Sequence, residues 1–242
     1  MIDKHSRLPL YVQLKDWIIE QIEKGQFKEG GKIPTEHTLS DMHEISRPTV
    51  RQALSELVQE GYLVKKRGLG TYVAVPTFTG DANVFRTFAE EMDYLGFEHD
   101  AKVITAKTYQ ASVELAEALL ISAKEEVYEI VRLRLANGKP MAIRTSIIPV
   151  KFFPNLLEED LKNLYSLFEQ KGIYPARSRK WFQAVSATNE EANLLQVAVG
   201  APLLLWDGMV YTEENQPLEK VKVCYLGSHF RFEIEQTRPP KE

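Results

Sequence analysis

Ser46-Arg47-Pro48-Thr49-Val50-Arg51-Gln52-Ala53-Leu54 reads as the first half of a helix with two unlike faces. Ser46 is an N-cap, Pro48 fits the first turn, and Val50, Leu54 and Leu57 form an apolar stripe that ends near Gly61. Arg47 and Arg51 are four residues apart and share the opposite face. Just upstream, Pro34-Thr35 opens a short helix to about His43, with Thr35 as N-cap and Leu39 and Met42 expected to face inward. Further back, Leu10, Leu14, Trp17, Ile18 and Ile22 recur at helical spacing between Pro9 and Gly25. Downstream, Tyr62-Leu63-Val64-Lys65-Lys66-Arg67 and Thr71-Tyr72-Val73-Ala74 are two β-like runs joined at Gly68-Leu69-Gly70.

Three helices followed by a hairpin, with a tight turn before a cationic third helix, suit major-groove binding of that helix. Arg47 and Arg51 have the donor geometry for guanine or phosphate, and Ser46 and Thr49 lie where a helix N-terminus meets a nucleic-acid backbone. Lys65, Lys66 and Arg67 lead into a narrow glycine tip that suits a minor groove beside the phosphates. Taken singly, each cation reads equally well as ordinary solvated charge. Their joint placement favours double-stranded DNA as the partner.

The 242-residue chain has 44% hydrophobic residues and a net charge of −4, which argues against unselective nucleic-acid binding over its whole surface. Residues 1–75 balance at +1 and the remainder at −5, so any basic face is local. No apolar run approaches the roughly 20 residues of a membrane helix, and the polar start lacks a signal-like segment, so a cytoplasmic protein is expected. Cys224 is the single cysteine, which excludes an internal disulfide and a cysteine-rich metal site. The five histidines lack metal-ligand spacing, and neither metal nor cofactor is expected.

Residues 75–83 carry Pro and Gly without a period. The expected division is a DNA-binding domain at 1–75, a linker at 76–83 and a second domain at 84–242. In the second domain the pattern predicts helices at 85–95, 113–120, around 156–171 and at 189–198. Strands are predicted at 101–110, 179–187, 203–212, 218–226 and 229–235. A long hairpin over 127–148 turns at Asn137-Gly138. Thr188 and Glu191 form a capping-box pattern. Strands joined mainly by hairpins point to an α+β fold with a largely antiparallel sheet.

In Arg132-Leu133-Arg134-Leu135, alternation places two guanidinium groups on one strand face. Solvation, internal acidic partners or an anionic ligand would each relieve their repulsion. The helix start at Phe85-Arg86-Thr87-Phe88 is a second candidate anion site, because free N–H groups gather at helix N-termini.

Residues 7–74 resemble the winged-helix head of the GntR superfamily. The likeness is carried by Pro9-Leu10-Tyr11, Ile33-Pro34-Thr35-Glu36, the Ser46–Leu54 segment, Leu57-Val58-Gln59-Glu60-Gly61 and Arg67-Gly68-Leu69-Gly70-Thr71. Residues 84–236 resemble the effector-binding UTRA domain of its HutC branch, most closely the repressors of amino-sugar utilisation. That likeness rests on Thr87 to Gly96, Arg132 to Ile143, Leu164-Tyr165, Ala187 to Ala192 and Gly200 to Leu204. The resemblance implies a metabolite-responsive repressor: a homodimer joined through the UTRA domains, binding operator DNA and released by a small anion such as a sugar phosphate. It assigns DNA contacts to Ser46, Arg47, Thr49, Arg51, Gly68 and Gly70. To the effector it assigns Arg86, Thr87 and Phe88 at the phosphate end, Arg132 and Arg134 on the strand, and Tyr165, Glu219 and Tyr225 beyond.

Departures from the family pattern carry their own expectations. His37 stands where Arg is usual, which weakens one contact and makes operator binding more pH-sensitive. Glu44 replaces a turn Gly. Arg144 replaces a Glu, Asn163 a Ser, and Tyr225-Leu226-Gly227-Ser228 a Tyr-Arg-Gly-Asp. A donor in place of an acceptor at Arg144 points away from an amino-sugar phosphate and toward a ligand with a second anionic or carbonyl-rich end. A three-residue loop at 137–139 would set Arg144 opposite Arg132, and a two-residue loop would send it to the other face.

The UTRA fold also resembles that of a lyase acting on chorismate, which opens an enzyme reading. No acid, base or nucleophile is found with an orienting partner, and Ser228 and His229, as strand neighbours, are expected to face opposite ways. An activator and a ligand-independent architectural factor stand as further alternatives.

Overall fold

The computed structural model describes residues 2–4, 6–75 and 77–238. Met1, His5, Pro76 and residues 239–242, which the expected domain and linker ranges include, lie outside the described residues. The chain divides into two compact units after residue 76.

The first unit contains α1 (Leu10–Glu23), α2 (Glu36–His43), α3 (Arg47–Gln59), β1 (Leu63–Lys66) and β2 (Gly70–Val73), the last two an antiparallel pair. Local chemistry sets the helix starts: Thr35 Oγ1 accepts from Thr38 N, and Ser46 Oγ accepts from Thr49 N. Such caps typically contribute about 1 kcal/mol each. Leu14, Ile18, Leu39, Val50, Leu54 and Leu57 close the core with Leu63 and Val73 of the hairpin. Met42 is not an inward residue as expected; it is 55% exposed. The eight-residue α2 turns Leu39 and His43 inward instead, and His43 packs edge-on against Trp17 with ring centroids 4.4 Å apart.

The second unit runs β3 (Phe78–Asp81), α4 (Phe88–Leu95), β4 (His99–Gln110), α5 (Val113–Leu119), β5 (Glu126–Ala136), β6 (Lys139–Pro149), α6 (Leu164–Gln170), β7 (Pro175–Ser186), α7 (Asn189–Leu195), β8 (Pro202–Thr212), β9 (Pro217–Leu226) and β10 (Phe230–Glu233). Six strands form one antiparallel sheet in the order β4-β5-β6-β9-β8-β7, which is the expected α+β architecture. Alternation gives the sheet two apolar faces. Ile130, Ala142, Val223 and Trp206 pack with α4, α6, β3 and β10, while Leu133, Ile143 and Cys224 pack with α7, and Val127 and Met209 with α5.

Three expectations for the second unit are corrected. Residues 78–81, read as linker, form β3, which pairs in parallel with β10. The helix expected from 85 begins at Phe88, because Thr87 caps it in a reciprocal capping box with Glu90. Ser228 and His229 lie in a turn rather than a strand, and Ser228 Oγ stands 2.8 Å from His229 Nδ1.

The β5–β6 hairpin resolves the position of Arg144. Asn137 and Gly138 both have positive φ (46° and 74°) and form a two-residue connection, with Ala136 opposite Lys139. A register shift follows: Leu135 pairs with Pro140 but Arg134 pairs with Ala142, so Met141 is an extra residue on β6. The bulge returns Arg144 to the position opposite Arg132 despite the short turn.

Candidate functional site

In the first unit the solvent face of α3 carries the cations expected there. Arg47 and Arg51 are exposed, and Arg51 donates through Nε and Nη2 to Glu36 Oε2 at 3.2 and 3.0 Å. Lys65 Nζ stands 3.8 Å from the other Glu36 oxygen, so one carboxylate on α2 gathers cations from the third helix and the wing. Such exposed bridges contribute little and yield readily to a stronger anion. Ser46 and Thr49 hydroxyls lie 2.8 Å apart at the α3 start. His37 is exposed and pairs with Asp41 at 2.9 Å. In the wing, Lys66 lies over the Tyr72 ring, Arg67 is exposed, and Gly68 and Gly70 have φ of 75° and 122°. A Cβ on Gly70 would lie 2.7 Å from Lys32 Cε, which brings Lys32, not singled out from the sequence, to the base of the wing.

In the second unit a cluster of arginines is buried in the sheet. Arg132, Arg134 and Arg144 are 1%, 8% and 7% exposed, and Glu219 is fully buried. Arg144 Nη2 donates to Tyr165 Oη at 2.9 Å and to both Glu219 oxygens at 2.9 and 3.2 Å; the Tyr165 hydroxyl donates to Glu219 Oε2 at 2.9 Å. The one carboxylate is therefore taken by Arg144. Among the described residues Arg132 reaches only neutral acceptors, the carbonyls of Leu161 and Lys162 and Ser146 Oγ, while Arg134 Nη1 donates to Lys162 O at 3.1 Å. The Nε groups of Arg132 and Arg134 are buried without a partner.

Electrostatics follows from this geometry. Burial, then the neighbouring arginines, disfavours the charged form of Arg132, and burial with Arg144 nearby pushes Arg134 down to about 10. Burial acts the same way on Arg144, but Glu219 and the two tyrosines outweigh it and hold its pKa above the ordinary value. Burial raises the Tyr165 and Tyr225 hydroxyls.

Two small cavities open on this cluster. Thr87, Ala89, Arg132, Arg134, Asn163 and Tyr165 line the first together with Arg144. Arg144 and Thr87 also line the second, where they meet Arg86, Glu91, Lys180, Trp206 and Tyr225. Asn163 caps α6 by accepting from Ser166 N, and Phe88 lies under the Arg134 guanidinium, 5.4 Å from its ring centroid. Arg86 meets Glu91 at 3.7 Å and lies over the Tyr94 ring. The capping box occupies the amides of Thr87 and Glu90. The next two, of Phe88 and Ala89, have no intrahelical acceptor. Sequence reading missed Ser146, Lys180 and Glu91. Ser146 was legible as the residue two beyond Arg144 on one strand face.

A model of the gntR family of bacterial regulatory proteins matches residues 10–73, and a UTRA domain model matches residues 95–231. The HTH-type transcriptional repressor NagR of Bacillus subtilis is 33% identical over 233 residues, 96% of each chain. The mannosyl-D-glycerate transport/metabolism system repressor MngR of Escherichia coli is 31% identical over 228 residues, 93% of this chain and 95% of that one. Among solved structures, PhnF from Mycobacterium smegmatis superposes with a TM-score of 0.69 at 23% identity, covering 95% of this chain and 99% of that one, a likeness of fold.

Proposed function

The chain belongs to the GntR family of bacterial regulatory proteins, with a UTRA domain behind its winged-helix head, and on that premise we propose that it is a transcriptional repressor released from its operator by an oxyanionic metabolite. The head reads DNA through Arg47 and Arg51 on the recognition helix, with Ser46 and Thr49 at its start, His37 beside it, and Lys66, Arg67, Gly68 and Gly70 in the wing. A homodimer presents two such heads to a two-fold operator, acting in the cytoplasm. The effector is a phosphorylated sugar or a related anion, held between Arg132, Arg134 and the start of α4, with Thr87, Phe88, Asn163 and Tyr165 around it and Glu219 and Tyr225 toward its far end; Arg86, expected at the phosphate end, pairs with Glu91 and lines the second cavity.

One observation carries this reading. Three buried arginines share a sheet face with one carboxylate, and that carboxylate is spent on Arg144. A buried charge without a counter-charge costs several kcal/mol. Such an arrangement is sensible where an anion is meant to arrive. Arg144 enters as the partner of Glu219 and not as a second anion receptor, which revises the role its sequence position suggested.

The same pairing supports a regulator over an enzyme. Tyr165 and Glu219 are locked to Arg144, and the Cys224 thiol donates to Glu191 with its pKa pushed up to about 12 by burial. Neither the Tyr165 hydroxyl nor the Cys224 thiol is poised as a nucleophile at neutral pH.

A thermal-shift screen of hexose phosphates and simple oxyanions tests the reading, since selective binding to the folded state raises Tm. The hits then go into a gel shift with a duplex from the chain's own promoter. Release by a phosphorylated compound is expected. Tighter DNA binding would make the protein an activator, and indifference would remove the effector from the account.

A further inference from the structure

The second cavity of the UTRA domain holds two charged side chains, Lys180 and Glu91, each with a polar atom that makes no hydrogen bond among the described residues. Lys180, on β7, makes no hydrogen bond or ion pair among the described residues; its ammonium stands over the Trp206 and Phe85 rings at 5.2 and 5.9 Å from their centroids. Glu91, on α4, meets Arg86 through Oε2, while its Oε1 is buried without a hydrogen-bond partner. Asp81 lines the same cavity, and its Oδ1 accepts only from the neutral amides of Asn83, at 2.8 and 3.0 Å. Arg144 lines both cavities, so a ligand reaching from the arginines to Lys180 passes alongside the Arg144–Glu219 pair.

Charge counting limits what such a ligand carries. With Arg144 matched to Glu219 and Arg86 to Glu91, the groups left over are Arg132, Arg134 and Lys180 on one side and Asp81 on the other. A phosphate dianion balances the two arginines. The dianion thereby balances the leftover set as a whole, so a second end must add no net charge; a zwitterion meets that condition while placing an opposite charge against Lys180 and another against Asp81 and the bare oxygen of Glu91. A hydroxyl would satisfy the hydrogen bonds at Lys180 and Glu91 but would set no opposite charge directly against either of these half-buried groups.

We propose that the effector is two-ended: a phosphorylated sugar on Arg132 and Arg134 that carries an amino-acid group, its carboxylate against Lys180 and its ammonium against Glu91 and Asp81. The inference rests on the effector-pocket reading above and adds the chemistry of the second end. Burial depresses the Lys180 pKa and raises that of Glu91, so each group gains from an opposite charge placed against it. Trp206 and Tyr225 supply an apolar wall for the carbon skeleton between the two ends.

Calorimetric titration of the full chain decides the matter with two probes, fructose 6-phosphate and its conjugate with glycine, in which the glycine amine replaces the sugar's 1-hydroxyl. The conjugate should bind at least about tenfold tighter, the scale of one added charge-assisted contact. Lys180→Met and, independently, Glu91→Gln should erase that preference, and Arg134→Met should abolish binding of both probes. Equal affinities in the unmodified protein, or a preference that survives in Lys180→Met with its thermal transition intact, would overturn the two-ended ligand alone. Binding of neither probe would overturn the arginine pocket, and this inference with it.

Discussion

Glu219 holds the Arg144 guanidinium with both carboxylate oxygens, and neither partner has more than a tenth of its side chain exposed. Breaking a buried pair leaves one charge stranded, whereas removing both ends leaves none. Glu219→Gln and Arg144→Met should each destabilise the protein by about 3–5 kcal/mol. The double variant Arg144→Met/Glu219→Met should recover most of that loss. Urea unfolding of the four proteins closes the cycle; additive losses would show that the pair is not coupled.

Arg134 has the opposite signature. Its charge is buried against a single carbonyl and has no acid of its own. Arg134→Met should leave the ligand-free protein as stable as before or about 1 kcal/mol more stable, while abolishing any rise in Tm caused by a phosphorylated sugar. A large destabilisation without ligand would mean that the arginine serves the fold and not the effector.

Glu44 caps α2 in the left-handed region, with φ 51° and ψ 45°. A side chain there costs roughly 1–2 kcal/mol, and glycine is free of that cost. The ion pair that Glu44 makes with Lys4 is exposed and offsets little. Glu44→Gly should therefore raise the midpoint of unfolding, read by circular dichroism, and a lower midpoint would contradict the strain assigned to this turn.

Operator contacts separate by salt dependence. Arg47→Ala should weaken binding to the operator by about 1–3 kcal/mol, with a smaller effect on unrelated duplexes. Lys66→Ala/Arg67→Ala should weaken both and lower the slope of log K against log salt by about 2. Fluorescence anisotropy across a salt series distinguishes them, and an unchanged slope would remove the wing from the phosphate backbone.

His43 gives the head a defined response to acid. Burial lowers its pKa below the ordinary 6.5, and its Nε2 has no partner. Above 6.5 the imidazole is neutral in folded and unfolded chains, so it costs nothing. As pH falls through 6.5 the unfolded chain takes up the proton first, and stability declines until the folded pKa is passed. His43→Phe should flatten the wild-type decline below pH 6.5 in urea unfolding followed by tryptophan fluorescence; an unaltered pH dependence would place its cause elsewhere.

The head was legible because its signals are local: Thr35 and Ser46 cap within three residues, and the apolar stripe of α3 lies on one helix. The β3 strand was not, because its partner β10 is about 150 residues away and its glycine looks like linker. Gly80 is instead where Phe232 packs, since a Cβ there would lie 2.7 Å from that ring. Alternation brought Arg132 and Arg134 to one face, but the face of Arg144 depended on a bulge at Met141, a buried residue whose place is set by tertiary packing. Lys180 and Glu91 come from a strand and a helix far apart in sequence, and only the fold brings them to one cavity.

The claim that an anion in the arginine pocket controls the head is tested most directly by fluorescence anisotropy of a labelled promoter duplex, titrated with the phosphorylated compound that most raises Tm. Wild-type protein and Arg134→Met are compared at equal initial occupancy of the duplex. The account predicts that the wild type leaves the duplex as the compound is added and that Arg134→Met stays bound. Equal release of the two proteins, or a wild type that holds the duplex while calorimetry shows its pocket saturated, would contradict it.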